Sequence, residues 1–537
     1  MSRIGTRRLG SPAVVEQTIP RLVQAAAERF EDKSAVEDGD VRLSFAELAE
    51  AGLQSARAFC ASGIESGDRV AIWAPNIYEW IVAAIGLQSA GAVLVTLNTR
   101  LKGAEAGYVL RKSGARILCT VGEFLGTNYV DLLAREDLPQ LEQIVTLRGA
   151  ALKALPWSEF LSRGEAVSRE EARRRLEIVA PDDLSDLLFT SGTTGKPKGV
   201  MTTHAQNLKA FEAWSEVIAL REGDRYLIIN PFFHAFGYKA GWLSALMRGA
   251  TSLPHQVFDV AVVLERIGSE RISVLPGPPT LYQSILAYPE RGEFDLSSLR
   301  LAVTGAAAIP VELIHRMRDE LGFETIITGY GLTESCGIVS MCRHDDDPET
   351  IATTSGRAIP DVEVRCVDSD GKEVPRGEPG EVWVRGYNVM PGYFEDTAAT
   401  AETIDRDGWL HTGDIAVMDE RGYLRITDRI KDMYIMGGFN CYPAEIENIM
   451  FGSGNFAQVA VIGIPDERMG EVGRAYVVPA PGKQLTPDSV IVWCRENMAN
   501  YKVPRAVEIV DALPMNASGK VLKFVLRERA LAGAARA

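Results

Sequence analysis

The chain reads as an α/β protein: a large N-terminal body of layered α/β sheets with a small β subdomain, then a small C-terminal α+β domain. Three observations predict this. Short apolar runs of strand length alternate with amphipathic stretches of helical length through the first half, as in a mostly parallel sheet with helical crossovers. Glycine- and hydroxyl-rich loops follow several of those runs, where such sheets carry their chemistry. From about Arg357 the texture changes to strands joined by turn-rich linkers, and beyond residue 430 helices and strands mix again. The 537 residues are enough for several structural units. The expected divisions are 1–430, with 357–430 as the β subdomain, and 431–537.

The elements follow in order. Residues 20–30 (PRLVQAAAERF) and 44–63 (SFAELAEAGLQSARAFCASG) predict two amphipathic helices around a strand pair, SAVEDGDVRLS. RVAIWAPN predicts a buried strand. Residues 80–97 are uncharged over a length that spans a bilayer. Gln88, Ser89, Gly91 and Thr96 interrupt them, so they read as a helix stopped by Gly91 and then a strand. Residues 98–112 predict a helix and ARILCTV a strand. Residues 125–180 are charged and irregular and predict no definite element. Later come a helix over 204–220, a strand RYLIINPFFH broken at Pro231, a helix containing Gly241 and Gly249, and strands at ISVLPG and LRLAVTGAA. DVEVRCVD and GEVWVRG predict a hairpin. The last stretch predicts helices at PAEIENIMF, DSVIVWCRENM and the end of the chain, with strands at QVAVIGIP, RAYVVPA and AVEIVDALP.

Composition narrows the function. Hydrophobic residues make up 46% and charged residues 24%, an ordinary soluble balance. A formal charge of -15 argues against a nucleic-acid partner, which needs a lysine and arginine surplus. Seven cysteines without a C-x-x-C pair predict free thiols in a reducing compartment, hence the cytoplasm. The basic stretch 1–17 lacks the apolar run of a secretory signal, and no transmembrane segment is expected. Nothing in the sequence sets an oligomeric state.

The chemistry concentrates at residues 187–201, LLFTSGTTGKPKGVM. An apolar run meets Gly192, Gly195 and Gly199, hydroxyls at Thr190, Ser191, Thr193 and Thr194, and the cations Lys196 and Lys198. Glycines let backbone approach an anion, hydroxyls donate, and lysines neutralise charge, so phosphate is the natural guest. This is not a Walker loop, because Pro197 follows Gly195-Lys196 and no helix opens there in the usual way. Four further clusters bear on the reading. PFFHAFG (231–237) places His234 after two aromatics. TGYGLTES (328–335) flanks Tyr330 with Gly329 and Gly331, a platform on which a base can stack. In the same cluster Thr333 offers a hydroxyl, and Glu334 offers a hard oxygen to a metal. GWLHTGD and TDRIKD supply Asp414, an acceptor for a ribose diol, and Arg429. PMNASGK ends on Lys520. Taken singly, these residues also suit a packed histidine, a solvated carboxylate, a turn acid, a surface base and a solvated lysine.

Together, in this order, the clusters resemble the adenylate-forming superfamily, in particular acyl-CoA synthetases, over nearly the whole chain. The resemblance implies that Thr190, Ser191, Gly192, Thr193, Thr194, Gly195, Lys196 and Lys198 surround ATP phosphates. Gly329, Tyr330 and Gly331 take adenine, with Thr333 on the α-phosphate and Glu334 on magnesium. Asp414 and Arg429 hold ribose. Lys520 binds the acid carboxylate and phosphate during adenylation. Lys431 sits at a hinge, where many members have Asp, about which a mobile C-terminal domain turns. Gly437, Gly438 and Phe439, in GGFNCYP, line the approach of CoA pantetheine. His234 enters as a catalytic and substrate residue, and Phe236, Gly237, Gly305, Ala306 and Ala307 as the wall for the acid. The implied reaction joins a carboxylic acid to CoA through an acyl-adenylate, releasing AMP and pyrophosphate. PFFHAFGYKAG has no acid to hold an ammonium, so the substrate is expected to lack an α-amino group. The wording of that segment and of KDMYIMGGFNCYPAEIE resembles bacterial ligases of steroid catabolism, which points to a steroid-derived bicyclic propanoate. A fatty acid is the plainer choice, and loading of a separate carrier protein is the rival to CoA.

Overall fold

The computed structural model describes residues 17–190, 197–305, 309–429, 432–436, 439–466, 469–498, 500–515 and 521–534. The chain packs as two compact units. One is Met1–Val257 with Met390–Thr397, and the other is Phe258–Val389 with Ala398–Ala537.

In the first unit seven of the described strands form one sheet. Its order is Leu155–Pro156, Gln143–Arg148, Ile117–Val121, Arg69–Trp73, Val93–Thr96, Leu184–Thr190 and Lys198–Thr203. All neighbours are parallel except the last pair, which is antiparallel. A four-stranded sheet runs Arg225–Ile228, Thr251–Pro254, Ser34–Asp38, Val41–Ser44. The helix Phe45–Ala61 begins on a reciprocal cap: the Glu47 N–H donates to the Ser44 hydroxyl (3.1 Å), and the Ser44 N–H donates to the Glu47 carboxylate (2.8 Å). The uncharged stretch resolves into the helix Tyr78–Ser89, enclosed on every side beyond Tyr78, and the buried strand Val93–Thr96. Among the described residues no helix is long and apolar enough to cross a membrane.

Several expectations are corrected. The helix expected over 98–112 begins only at Gly103 and runs to Ser113. Residues 125–180 contain the strand Gln143–Arg148 and the helices Trp157–Arg163 and Arg169–Ile178. The last of these is charged on most of its surface and buries only Ala172 and Leu176, one turn apart, so it gave little periodic signal. The helix expected after His234 is broken into Ala235–Gly237, a wide turn Tyr238–Leu243 in which Gly241 is non-helical, and Ser244–Arg248. ISVLPG makes a single bridge, Val274 to Leu301, and no strand.

In the second unit Leu301–Gly305 pairs in parallel with Thr325–Tyr330, which continues antiparallel through Ser340–Met341 to Arg357–Ala358. The β subdomain is an antiparallel meander of Val362–Val367, Pro379–Gly386, Leu410–Met418 and Leu424–Arg429. Beyond it, a sheet containing Phe456–Asp466, Gly470–Pro479 and Ala506–Ile509 packs with the helices Pro443–Phe451, Pro487–Asn497 and Lys523–Ala534. That stretch carries its own cores, one around Ile446, Met450, Val461 and Val490, another around Ile462, Tyr476, Leu526 and Ala530. All seven cysteines are free, six of them buried.

Candidate active site

The glycine-rich segment lies in a hairpin. Leu184–Thr190 and Lys198–Thr203 are antiparallel, and Thr190 pairs with Lys198. A strand follows Pro197, so the helix N-terminus of a Walker site is absent there. Ser191, Gly192, Thr193, Thr194, Gly195 and Lys196 lie outside the described residues. Thr190 and Lys198 are half-buried at the two strand ends, and the Lys198 ammonium sits 4.8 Å over the Tyr393 ring. Residues around Tyr393 run along the outer edge of Lys198–Thr203. The Phe394 N–H donates to the Gly199 carbonyl (2.8 Å), and the Met201 N–H donates to the Gly392 carbonyl (3.1 Å). Sequence reading had missed Tyr393, whose only signal was a Pro-Gly pair before two aromatics.

His234 ends a segment pinned by buried polar side chains. Asn76 donates to the Ile228 and Asn230 carbonyls (3.0 and 2.9 Å) and accepts from the Phe232 N–H (2.8 Å). Thr96 donates to the Phe233 carbonyl (2.8 Å). Asn76 gives no sequence signal, because a buried Asn at a strand end carries no pattern of its own, and Thr96 reads in the sequence only as a break in an apolar stretch. The His234 ring reaches solvent, and its Nδ1 accepts from the Phe236 N–H (3.2 Å). Nε2 therefore carries the proton of the neutral ring. Crowding by protein, reinforced by the Lys239 cation, lowers its pKa below the ordinary histidine value. Lys239 is fully buried and paired with Asp186 at 3.0 Å, with a further bond to the Thr202 hydroxyl at 3.1 Å. Asp186 also accepts from Ser185 (2.8 Å) and Asn207 (2.6 Å). This pair ties the strand that feeds the glycine-rich segment to the helix turn after His234. Phe236 is half-buried. Gly237 is buried for a packing reason: a Cβ there would overlap the Asn230 and Pro231 carbonyl oxygens. Its small size serves this chain approach, whereas the sequence had suggested room for an acid.

In the second unit Gly305 and Gly329 face each other across parallel strands. Ala306 and Ala307 lie outside the described residues. Gly331 is exposed on one side, but a Cβ would overlap the Gly337 carbonyl on the other, so the turn itself requires glycine. Thr333 and Glu334 stand half-buried on a one-turn helix, Thr333–Ser335. The Ser335 hydroxyl fixes that turn, accepting from the Leu332 N–H and donating to its carbonyl, both at 3.0 Å. The structure joins two of the predicted clusters: the Tyr330 hydroxyl donates to Asp414 Oδ2 at 2.6 Å. Asp414 is buried and lies directly opposite Arg429 in the strand pairing.

Phe439 begins the short strand Phe439–Cys441. Lys431, Gly437, Gly438 and Lys520 lie outside the described residues. Close to these positions along the chain, Arg527 of the last helix pairs with Asp432 (2.8 Å), and Lys523 with Glu447 (2.9 Å).

Known proteins match this chain over nearly its full length. The AMP-binding enzyme family model covers residues 23–394, and the model of that family's C-terminal domain covers 445–520. A 7a-methyl-1,5-dioxo-octahydro-1H-inden-4-yl propanoyl:CoA ligase of Rhodococcus jostii is 51% identical, over 95% of this chain and 98% of its own. Its counterpart in Mycobacterium tuberculosis is 49% identical, over 95% and 99%. The crystal structure of the anthranilate CoA ligase AuaEII with anthranoyl-AMP superimposes with a TM-score of 0.87 at 29% identity, over 96% of this chain and 98% of that one. The chain belongs to the AMP-binding enzyme family.

Proposed function

We propose that this chain is an ATP-dependent, AMP-forming acid–CoA ligase whose acid is a bicyclic, steroid-derived propanoate. The observation that carries this reading is near-half identity, over almost the full length, to two ligases named for a methyl-dioxo-octahydroindenyl propanoyl group. The acid carboxylate attacks the α-phosphorus of ATP and pyrophosphate leaves. The CoA thiolate then attacks the acyl carbon, and AMP leaves.

The residues fit these tasks. Phosphoryl chemistry is mainly positioning and charge neutralisation. Tyr330 supports the adenine, and Asp414 with Arg429 holds the ribose. Thr333 donates to the α-phosphate. The donors of 190–196, with Lys196 and Lys198, neutralise the outgoing pyrophosphate, and Lys520 takes the acid carboxylate. Neutral His234, with its proton on Nε2, is a donor suited to a carboxylate or acyl oxygen. Gly437, Gly438 and Phe439 border the pantetheine. Magnesium suits Glu334, because this ion is commonly held by one or two carboxylates together with substrate phosphates. When bound it offsets phosphate charge. We assign the small C-terminal domain, 431–537, to the alternation between the two half-reactions, and place the enzyme in the cytoplasm.

A panel of acids with ATP, magnesium and CoA tests the reading, scored by pyrophosphate release and by thioester mass. Thioester from the bicyclic propanoate, above that from straight-chain fatty acids, is expected. Thioester from fatty acids alone would overturn the substrate. Pyrophosphate release without any CoA thioester would overturn the acceptor.

A further inference from the structure

We infer that the hydroxyl of Tyr330 is a positioning device for the ribose-binding carboxylate, beyond the stacking role of its ring; this rests on the nucleotide reading above. The contact is short, 2.6 Å from the Tyr330 oxygen to Asp414 Oδ2, and it bridges two sheets. Both ends are held by backbone. Tyr330 closes the strand Thr325–Tyr330, pairs with Ser340, and its carbonyl accepts from the Val339 N–H at 2.8 Å. Asp414 sits within Leu410–Met418, with its N–H on the Thr412 hydroxyl (3.1 Å) and the preceding Gly413 N–H on Glu381 (3.0 Å).

The chemistry of the donor matters. A buried carboxylate must be hydrogen-bonded. A phenol supplies that donor and carries no full charge of its own. The terminal torsion of an aspartate is intrinsically broad, so each hydrogen bond to the carboxylate narrows the orientations it samples. Fixing Oδ2 sets the plane of the group and leaves Oδ1 in a defined direction. Two vicinal hydroxyls are best bound by an acceptor of fixed orientation, since ordering costs are then met before the ligand arrives. The same side chain would thus set the base platform and the sugar acceptor at one fixed spacing.

The experiment compares ATP with 2',3'-dideoxy-ATP in pyrophosphate release. Wild-type enzyme should favour ATP through Asp414. Tyr330→Phe keeps the ring and removes the hydroxyl. It should raise KM for ATP about threefold to tenfold, the cost of ordering a released side chain as the ligand binds. KM for the dideoxy nucleotide should change little, so the preference collapses, and Asp414→Asn should collapse it likewise. An equal loss with both nucleotides, or no change with either, would overturn the proposal. If the Phe variant does not fold, 3-fluorotyrosine at position 330 makes the donor stronger and should increase the preference for ATP; an unchanged ratio is then the overturning result. A wild-type enzyme that turns over no nucleotide with any acid would instead overturn the proposed function.

Discussion

His204 and His234 show how differently one residue type is used within 30 positions. His204 is enclosed, its Nδ1 accepts from the Ile19 N–H at 3.3 Å, and burial pushes its pKa down to about 4 against the pull of Asp186 and Asp183. The folded state keeps this ring neutral while the unfolded chain takes up a proton near pH 6.5. Its contribution to stability is present in full above pH 6.5 and falls away as pH drops towards 4, a loss of about 3 kcal/mol over that window. Urea unfolding at pH 7 and pH 5 should show a smaller pH-dependent loss in His204→Gln than in wild type, and equal slopes would refute the assignment. The sequence marked His234 because aromatic residues precede it at a strand end. It left His204 unmarked, since histidine alone does not report its own burial. Gly237 was legible as a small residue, but residue size alone does not show that its own segment folds back to bring the Asn230 and Pro231 carbonyls against it.

At the level of elements, the Lys239–Asp186 pair couples a strand to a helix turn. Removing one partner of a buried pair leaves an uncompensated charge and costs about 3–5 kcal/mol, whereas replacing both with apolar groups of similar size is often neutral. Lys239→Met alone is therefore expected to lower the denaturation midpoint sharply, and Lys239→Met with Asp186→Leu to recover most of the loss. A double variant no better than the single one would remove the pair from the account. The strands and helices that were legible are those whose burial is one-sided or complete, such as Ile19–Phe30 and Ile117–Val121. Gln143–Arg148 escaped notice because its pairing with Ile117–Val121 is non-local and its neighbours along the chain are charged. The break at Gly241 escaped because the surrounding residues are apolar in either conformation.

For the whole molecule, the five motifs were readable because each is a local string. The bond from Tyr330 to Asp414 was not, since 84 positions separate its ends. The division of labour between half-reactions gives a kinetic prediction. Lys520→Ala should lose acid-dependent pyrophosphate release while still forming thioester from a supplied acyl-adenylate. Lys431→Pro should do the reverse, with pyrophosphate released and thioester lost. Equal damage to both steps in either variant would refute the assigned roles.

The segment Met390–Thr397 belongs to the first unit although the chain around it belongs to the second. It covers the outer edge of Lys198–Thr203, the last strand in the order of the seven-stranded sheet. During synthesis that edge is complete long before its cover exists. At roughly 5–20 residues per second, about 10–40 s separate the two. Through that interval a nascent chain presents an unpaired strand edge, the kind of surface on which chains aggregate. Chain ended before residue 390 would present it permanently. Correct production of the first unit thus depends on how quickly a ribosome reaches the Pro-Gly-Tyr-Phe stretch, and slow codons placed between residues 203 and 390 would lower the yield of soluble enzyme without altering one amino acid.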